Sequence, residues 1–321
     1  MSQRDLWKAL SGVLCIYKHS GISSSAIKKL ITNKISESVA EIESTSCLRL
    51  PLISLPVVEP HEKHHPLVSG RSIRSEDIQL LDALPLATTS SGICLFGIND
   101  GCESIPNLMA NSWTNVYKIE AILKNSAEKI SRHRVEKVIS RMESEFRAAS
   151  FQHANVDLQS SEAFELARRG LPRAQLPGAQ VFYSIGLNWF RSPRFHITAQ
   201  CSGEDDEMLR RLIEHIGANL ESESTTIRVQ RHRFGPFGGE DCLLEKQISL
   251  QNIARNIHLN RKILAASESM DTRIVEHRST CDEENEENGR KREIFDGLGL
   301  KESTKIEDYD AMRPAWHRNY N

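Results

Sequence analysis

The sequence has no long apolar run, no Cys-x-x-Cys pair and almost no net charge, and each absence narrows what the chain can be. Without a long apolar run there is no candidate membrane span. The first residues hold no short apolar segment ahead of the first structural element, so a secretory signal is not expected. The seven cysteines (Cys15, Cys47, Cys94, Cys102, Cys201, Cys242 and Cys281) are scattered and odd in number, which points to free thiols in a reducing compartment and away from structural zinc. With 41 basic against 43 acidic residues the formal charge is −2, so any contact with nucleic acid must come from a local basic surface.

What is present is an ordinary globular composition with strands and helices in irregular alternation. Gly12 to Tyr17 is a short apolar run ending in a turn at Lys18-His19-Ser20-Gly21, which predicts a strand. Ser23-Ser24-Ser25 then caps a helix whose apolar positions Ile27, Leu30, Ile31, Ile35 and Val39 keep helical spacing. Residues 47–58, broken by Pro51 and Pro56, read as an edge strand. A second apolar strand is expected at Gly92 to Gly97. Residues 116–123 alternate, with Tyr117, Ile119, Ala121 and Leu123 on the buried side. Helices are expected around Val135 to Phe146 and Ser161 to Arg169, strands at 179–190 and 194–201, a helix through Leu209 to Leu220, a strand at 225–233 and a mostly helical segment at 243–264. The expected fold is α+β, a mixed and largely antiparallel sheet with flanking helices, over residues 1–266. Residues 267–321, with Asp282 to Glu287 followed by Arg290-Lys291-Arg292, are too charged and too poor in apolar residues to fold alone and read as a disordered tail.

Four segments, taken in order, resemble the TruB family of RNA pseudouridine synthases. Lys18-His19-Ser20-Gly21-Ile22-Ser23 resembles its Lys-Pro-x-Gly-x-x-Ser opening, with His19 in place of proline. Ser91-Gly92-Ile93-Cys94-Leu95 resembles the glycine and apolar strand of its catalytic motif, and Thr114-Asn115-Val116-Tyr117 the strand that carries its active-site tyrosine. Phe164-Glu165-Leu166-Ala167-Arg168-Arg169-Gly170 is similar to its Tyr-Glu-Leu-Ala-Arg-x-Gly helix. Cys201-Ser202, Leu209-Arg210-Arg211-Leu212 with Gly217, and Arg231-His232-Arg233-Phe234-Gly235-Pro236-Phe237 follow in family order. The likeness covers about residues 12–260. It is greatest to the animal mitochondrial branch, which shares a His-Pro-Leu-Val stretch, a longer Cys-to-Arg spacing and the lack of a C-terminal PUA module. It therefore implies a mitochondrial location, with cytoplasm or nucleus as the alternative, and RNA (mRNA, tRNA or rRNA) as the partner.

The resemblance implies the conversion of uridine to pseudouridine, an isomerisation that calls for no redox cofactor or metal. In the family an aspartate acts as nucleophile or proton handler, an arginine aims it, and a tyrosine stacks on the extruded base. Tyr117 matches the tyrosine and Arg210 the arginine. Counting back from Gly92, however, the aspartate's place is held by Ala87, and the histidine and glycine that usually precede it are missing. The loop Asp82 to Gly92 keeps Pro85-Leu86-Ala87-Thr88 with extra residues before the glycine. If it bulges, Asp82 reaches Arg210 and completes a site of Asp82, Tyr117 and Arg210. The plainer reading of Asp82 is an ordinary solvent-facing or capping residue.

Lys18 and the strand residues Arg228, Arg231 and Arg233, expected to project from one face, are the candidate RNA contacts, with Arg132, Arg134, Lys137 and Arg141 as a second patch. His61-Glu62-Lys63-His64-His65 has no partner at metal-ligand spacing and reads as a polar loop. Because of Ala87, a non-catalytic RNA-binding or ribonucleoprotein assembly factor on the same fold stands beside the enzyme as the alternative. A structural interaction protein using residues 267–321 ranks below both.

Overall fold

The computed structural model describes residues 3–48, 74–110, 113–124, 130–174, 178–267 and 274–275. The chain divides into a unit Met1–His277 and a second, Arg278–Asn321, which lies outside the described residues together with the histidine cluster at 61–65 and residues 49–58 of the expected edge strand.

A short helix α1 (Gln3–Ala9) precedes strand β1 (Gly12–Lys18) and helix α2 (Ser24–Leu48). Cys47 and Leu48, placed by the sequence in an extended segment, end that helix. There follow β2 (Leu80–Asp82), β3 (Ser91–Ile98), α3 (Ser104–Ala110) and β4 (Asn115–Leu123). Then come α4 (Arg132–His153), α5 (Ser161–Arg169) and β5 (Leu171–Pro172). Next are β6 (Val181–Arg191), β7 (Arg194–Ser202), α6 (Asp206–Asn219) and β8 (Ser224–Phe234), and finally α7 (Leu250–Ser267) and β9 (Ile274–Val275). The main sheet runs β1-β3-β8-β4-β7-β6, with β2 paired to β3, and among its described strand pairs β3 and β8 run parallel while the others run antiparallel. This is the expected mixed, largely antiparallel α+β architecture.

The alternation in β4 sorts the sheet into two faces. Tyr117, Ile119, Ala121 and Leu123 are buried in the main core with Ile197 and Ala199 of β7. Against them pack Ile27, Ile31, Ile35 and Val39, which at four-residue spacing form one stripe of α2, together with Val135, Ile139 and Met142 of α4 and Leu209, Leu212, Ile213 and Ile216 of α6. Each such side chain withdrawn from water stabilises the fold by about 1.5–3 kcal/mol. A second cluster covers the opposite face at the β1–β3 end, where Val13, Cys15, Ile93 and Leu95 meet Ile105, Phe234, Phe237 and the α7 residues Ile263 and Leu264. Towards β4, β7 and β6 that face is polar instead, with Lys118, Glu120, His196, Thr198 and Gln200.

The edge of the sheet at β1 is not left bare. On α7 the buried Asn256 accepts from the Cys15 amide at 2.9 Å, and Asn260 donates to the Val13 carbonyl at 3.0 Å. Two asparagines thus satisfy ladder groups that would otherwise face a helix without partners. The folded unit also runs past residue 266. Val275 is buried with Phe151, Leu171 and Tyr183, and β9 pairs with β5, so an apolar pair beyond the expected boundary joins the domain. The remainder of the expected tail lies outside the described residues.

Candidate active site

The loop 83–90, between β2 and β3, is gripped from two sides by buried cations. At the end of β1, the Lys18 ammonium donates to the carbonyls of Ala87 (2.8 Å) and Ser90 (2.5 Å) and, more weakly, to those of Thr88 and His19. Burial pushes this ammonium below its ordinary pKa, against the opposing influence of Cys94. Gly21, at φ +92°, turns its amide onto the Thr88 carbonyl at 2.7 Å, and Ser20 donates to Thr89 at 2.9 Å. The Lys-x-x-Gly spacing therefore has a physical meaning: one turn delivers an ammonium, a hydroxyl and an amide to consecutive carbonyls of one loop. On the other side, Arg231 of β8 donates through Nη1 to the carbonyls of Leu84 (3.0 Å) and Ile93 (3.2 Å). Gly92 permits that approach. Its φ is +127°, and a Cβ there would lie 2.2 Å from the Arg231 carbonyl oxygen.

Arg231 also anchors a buried polar chain. Its Nε donates to the Tyr117 hydroxyl at 2.7 Å, and that hydroxyl donates to Glu204 Oε1 at 2.7 Å. Asn115 donates to the same carboxylate oxygen at 2.6 Å while accepting from the Gly235 amide. Arg231 and Tyr117 are each 1% exposed and Glu204 is 3% exposed. The guanidinium lies 5.0 Å from the Phe234 ring centre and 5.5 Å from that of Tyr117. Burial pushes the Glu204 carboxyl above its ordinary pKa despite the pull of Arg231. At Arg231 the opposite balance holds: burial opposes the charge, but Tyr117 and Glu204 together raise the pKa. Glu204 Oε2 has no hydrogen-bond partner among the described residues, and Glu204 is one of the residues lining a cavity of about 80 Å³ with Leu84, Trp113, Ser202 and Phe234.

At the far end of the loop, the Ser90 hydroxyl donates to Asp206 Oδ1 at 3.1 Å, and Arg210 Nε donates to Asp206 Oδ2 at 2.7 Å. Asp206 opens α6, so the pair is joined one helical turn apart on a single helix and tied by serine to the loop. The Asp206 side chain is 31% exposed and that of Arg210 52%.

Several sequence expectations meet a different geometry here. Asp82 does not pair with Arg210. It sits on β2 opposite Phe96 and binds Lys28 of α2 at 2.5 Å, because the extra loop residues follow it and leave it on a strand. Tyr117 is enclosed, with its hydroxyl engaged at both ends, and so offers no free ring face for a base to stack on. Arg228, Arg231 and Arg233 do not share a face. A strand repeats every two residues, so the three-residue step from 228 to 231 changes sides, and register shifts between β4 and β8 add to this. Arg228 is exposed, Arg231 is buried, and Arg233 donates to the Gly235 carbonyl. In the second patch, Arg132, Arg134 and Arg141 are paired with Glu136, Glu221 and Glu145. Lys18 grips the loop from a fully buried position. Sequence reasoning missed Asn115, Ser90, Glu204 and Asp206. A signal for the last two existed: Glu204-Asp205-Asp206-Glu207 is an acidic run inside the very segment whose Cys-to-Arg spacing is lengthened.

Among the described residues no group of His, Cys, Asp and Glu is placed to hold a metal ion, and no helix is long and apolar enough to cross a membrane. Cys15, Cys94, Cys102, Cys201 and Cys242 are free thiols.

No family model matches the chain. Among curated proteins it is similar to "Pseudouridylate synthase TRUB2, mitochondrial" of Xenopus tropicalis, 24% identical over 277 residues that span 77% of this chain and 85% of that one. The human protein of the same name is 26% identical over 208 residues, 59% of this chain and 61% of its own length. Among solved structures, the archaeal box H/ACA sRNP Nop10-Cbf5 complex overlaps at a TM-score of 0.45 and 12% identity, covering 79% of this chain and 56% of that one. A structure described as a pseudouridylate synthase overlaps at a TM-score of 0.31 and 10% identity, over 77% and 74%. The chain thus spans little more than half of the first of these structures. In its curated relatives and its ordered motifs, the chain is similar to pseudouridine synthases. Within that class the likeness is to TRUB2-type proteins.

Proposed function

We propose that this protein isomerises uridine to pseudouridine in RNA, in mitochondria. The observation that carries the reading is the convergence of residues from separate family segments on one loop: Lys18 and Arg231 hold its carbonyls, and Ser90 links it to Asp206 and Arg210. The reaction breaks an N–C glycosidic bond, turns the uracil and rejoins it through C5, so no electrons enter or leave. Its requirement is a base drawn out of the RNA stack, at a cost of a few kcal/mol, and held against a fixed surface. A loop pinned through its carbonyls supplies that fixity without spending side chains on it.

RNA as the partner is supported by the polar face of the sheet. There Trp189 stacks on His196 with centres 5.7 Å apart and planes 3° apart, Lys118 lies 3.2 Å from His232, and Arg228 is exposed. Aromatic rings interleaved with cations on an open sheet suit bases and phosphates. The mitochondrial location is supported by the names of the curated relatives.

The test is to incubate the purified protein with uridine-containing RNA and quantify pseudouridine after digestion to nucleosides. Pseudouridine above the no-protein control is expected. RNA binding that weakens with salt, with no pseudouridine formed, would instead establish the second reading, a non-catalytic RNA binder. That reading is favoured by one observation, the methyl group of Ala87 where the family has its carboxylate.

A further inference from the structure

When the base departs, C1′ of the ribose becomes electron-deficient, and an anionic oxygen must stabilise or capture it. Ala87 has no such oxygen, yet the loop is not without a carboxylate beside it. Asp82 is held by Lys28 on β2. Glu204 is enclosed, bonded to Tyr117 and Asn115, and pushed by burial towards its neutral form. Asp206 alone among these three is both hydrogen-bonded to the loop and paired with a guanidinium, and it stays open enough to meet a substrate.

We propose that Asp206 is the catalytic carboxylate, supplied from the start of α6 in place of the residue missing from the loop. The proposal rests on the isomerase reading above. One Asp206 oxygen attacks C1′ and forms a C–O bond as the C1′–N1 bond breaks, its electron pair leaving with the uracil as an anion. The uracil turns until C5 faces C1′. C5 then attacks C1′, the C–O bond breaks and the carboxylate is regenerated. C5 loses its proton to solvent and N1 takes one up, so the net change is isomerisation alone. Arg210 and Ser90 are positioning residues. The guanidinium fixes one carboxylate oxygen and the serine hydroxyl the other, so the carboxylate faces the loop in one orientation.

The experiment compares the full chain with Asp206→Asn, Ser90→Ala, Ala87→Asp and the double variant Asp206→Asn/Ala87→Asp, measuring pseudouridine formation under single turnover, RNA affinity and the thermal midpoint. Asp206→Asn is expected to lower the rate on the order of a thousandfold, with RNA affinity and thermal midpoint little changed. Ser90→Ala is expected to lower it far less, and the double variant to recover part of the loss. If Asp206→Asn keeps the wild-type rate, this proposal fails while the isomerase reading stands. An equal loss in Ser90→Ala makes Asp206 a loop-positioning residue and overturns its catalytic role. A wild-type protein that binds RNA but is inactive, whether or not Ala87→Asp confers turnover, defeats the proposal and the isomerase reading together.

Discussion

Two arginines linked to the same loop, Arg231 directly and Arg210 through Asp206 and Ser90, live under opposite physics. Arg231 is sealed in the core with five contacts of charge or hydrogen-bonding character to Tyr117, Leu84, Ile93, Phe234 and, through the tyrosine, Glu204. Arg210 lies half in water on α6 and holds one carboxylate, Asp206. A buried charge must have its partners or it costs several kcal/mol, whereas an exposed ion pair gains little because water competes for both ends. The first arginine is therefore a fixture of the fold, and the second is a half-exposed group that orients the carboxylate beside it.

That contrast can be broken at its strongest point first. Arg231→Met leaves the Tyr117 hydroxyl, the Leu84 loop carbonyl and the Ile93 strand carbonyl without their donor and Glu204 without its counter-charge, and should lower stability by about 3–5 kcal/mol, read from denaturant unfolding. A loss below roughly 1 kcal/mol would mean that the buried chain is not what holds loop and sheet together. Tyr117→Phe removes the hydroxyl that joins guanidinium to carboxylate and should cost about 1–3 kcal/mol. In the same experiment, pseudouridine formation should fall no further than the stability loss and loop displacement explain, since the ring is enclosed.

Glu204→Gln sharpens the comparison through pH. Because burial raises the folded-state pKa of Glu204 above the ordinary 4.5, its stabilising contribution is full below that value and is lost as pH rises through the folded value. Glutamine keeps an acceptor for Tyr117 and does not titrate. Relative to wild type, the variant should therefore gain stability on going from about pH 4 to pH 7, by roughly 1 kcal/mol. Unfolding curves at the two pH values check the sign, and a relative loss would show that the charge of Arg231 outweighs burial. The smallest effect belongs to Arg210→Ala, which should change stability by less than about 1 kcal/mol. A large destabilisation there would move Arg210 into the structural class with Arg231.

The fold was legible because periodicity is a local property. The period of two in residues 116–123 and the four-residue stripe Ile27, Ile31, Ile35 and Val39 each reported a single buried face, and β4 and α2 follow them. The site was less so. Lys18 and Gly21 lie in a recognisable motif, but that they hold carbonyls of residues 87–90 depends on β1 and β3 being adjacent. Asp82 looked suited to reach Arg210 only while the loop was free to bulge anywhere, and the three-residue strand β2 removes that freedom. The error over Arg228, Arg231 and Arg233 was of another kind, since spacing alone already separates 228 from 231.

By itself the sequence determined the α+β class, the order of the main elements, the resemblance to pseudouridine synthases and the absence of a carboxylate at residue 87. Tertiary structure decided which arginine is buried, which tyrosine face is closed and that Asp206, on a later helix, reaches the loop through Ser90. The reason is that side-chain periodicity is set by neighbours a few residues away. The partners of Arg231, and the link from Ser90 to Asp206, are set by elements brought together from over a hundred positions apart.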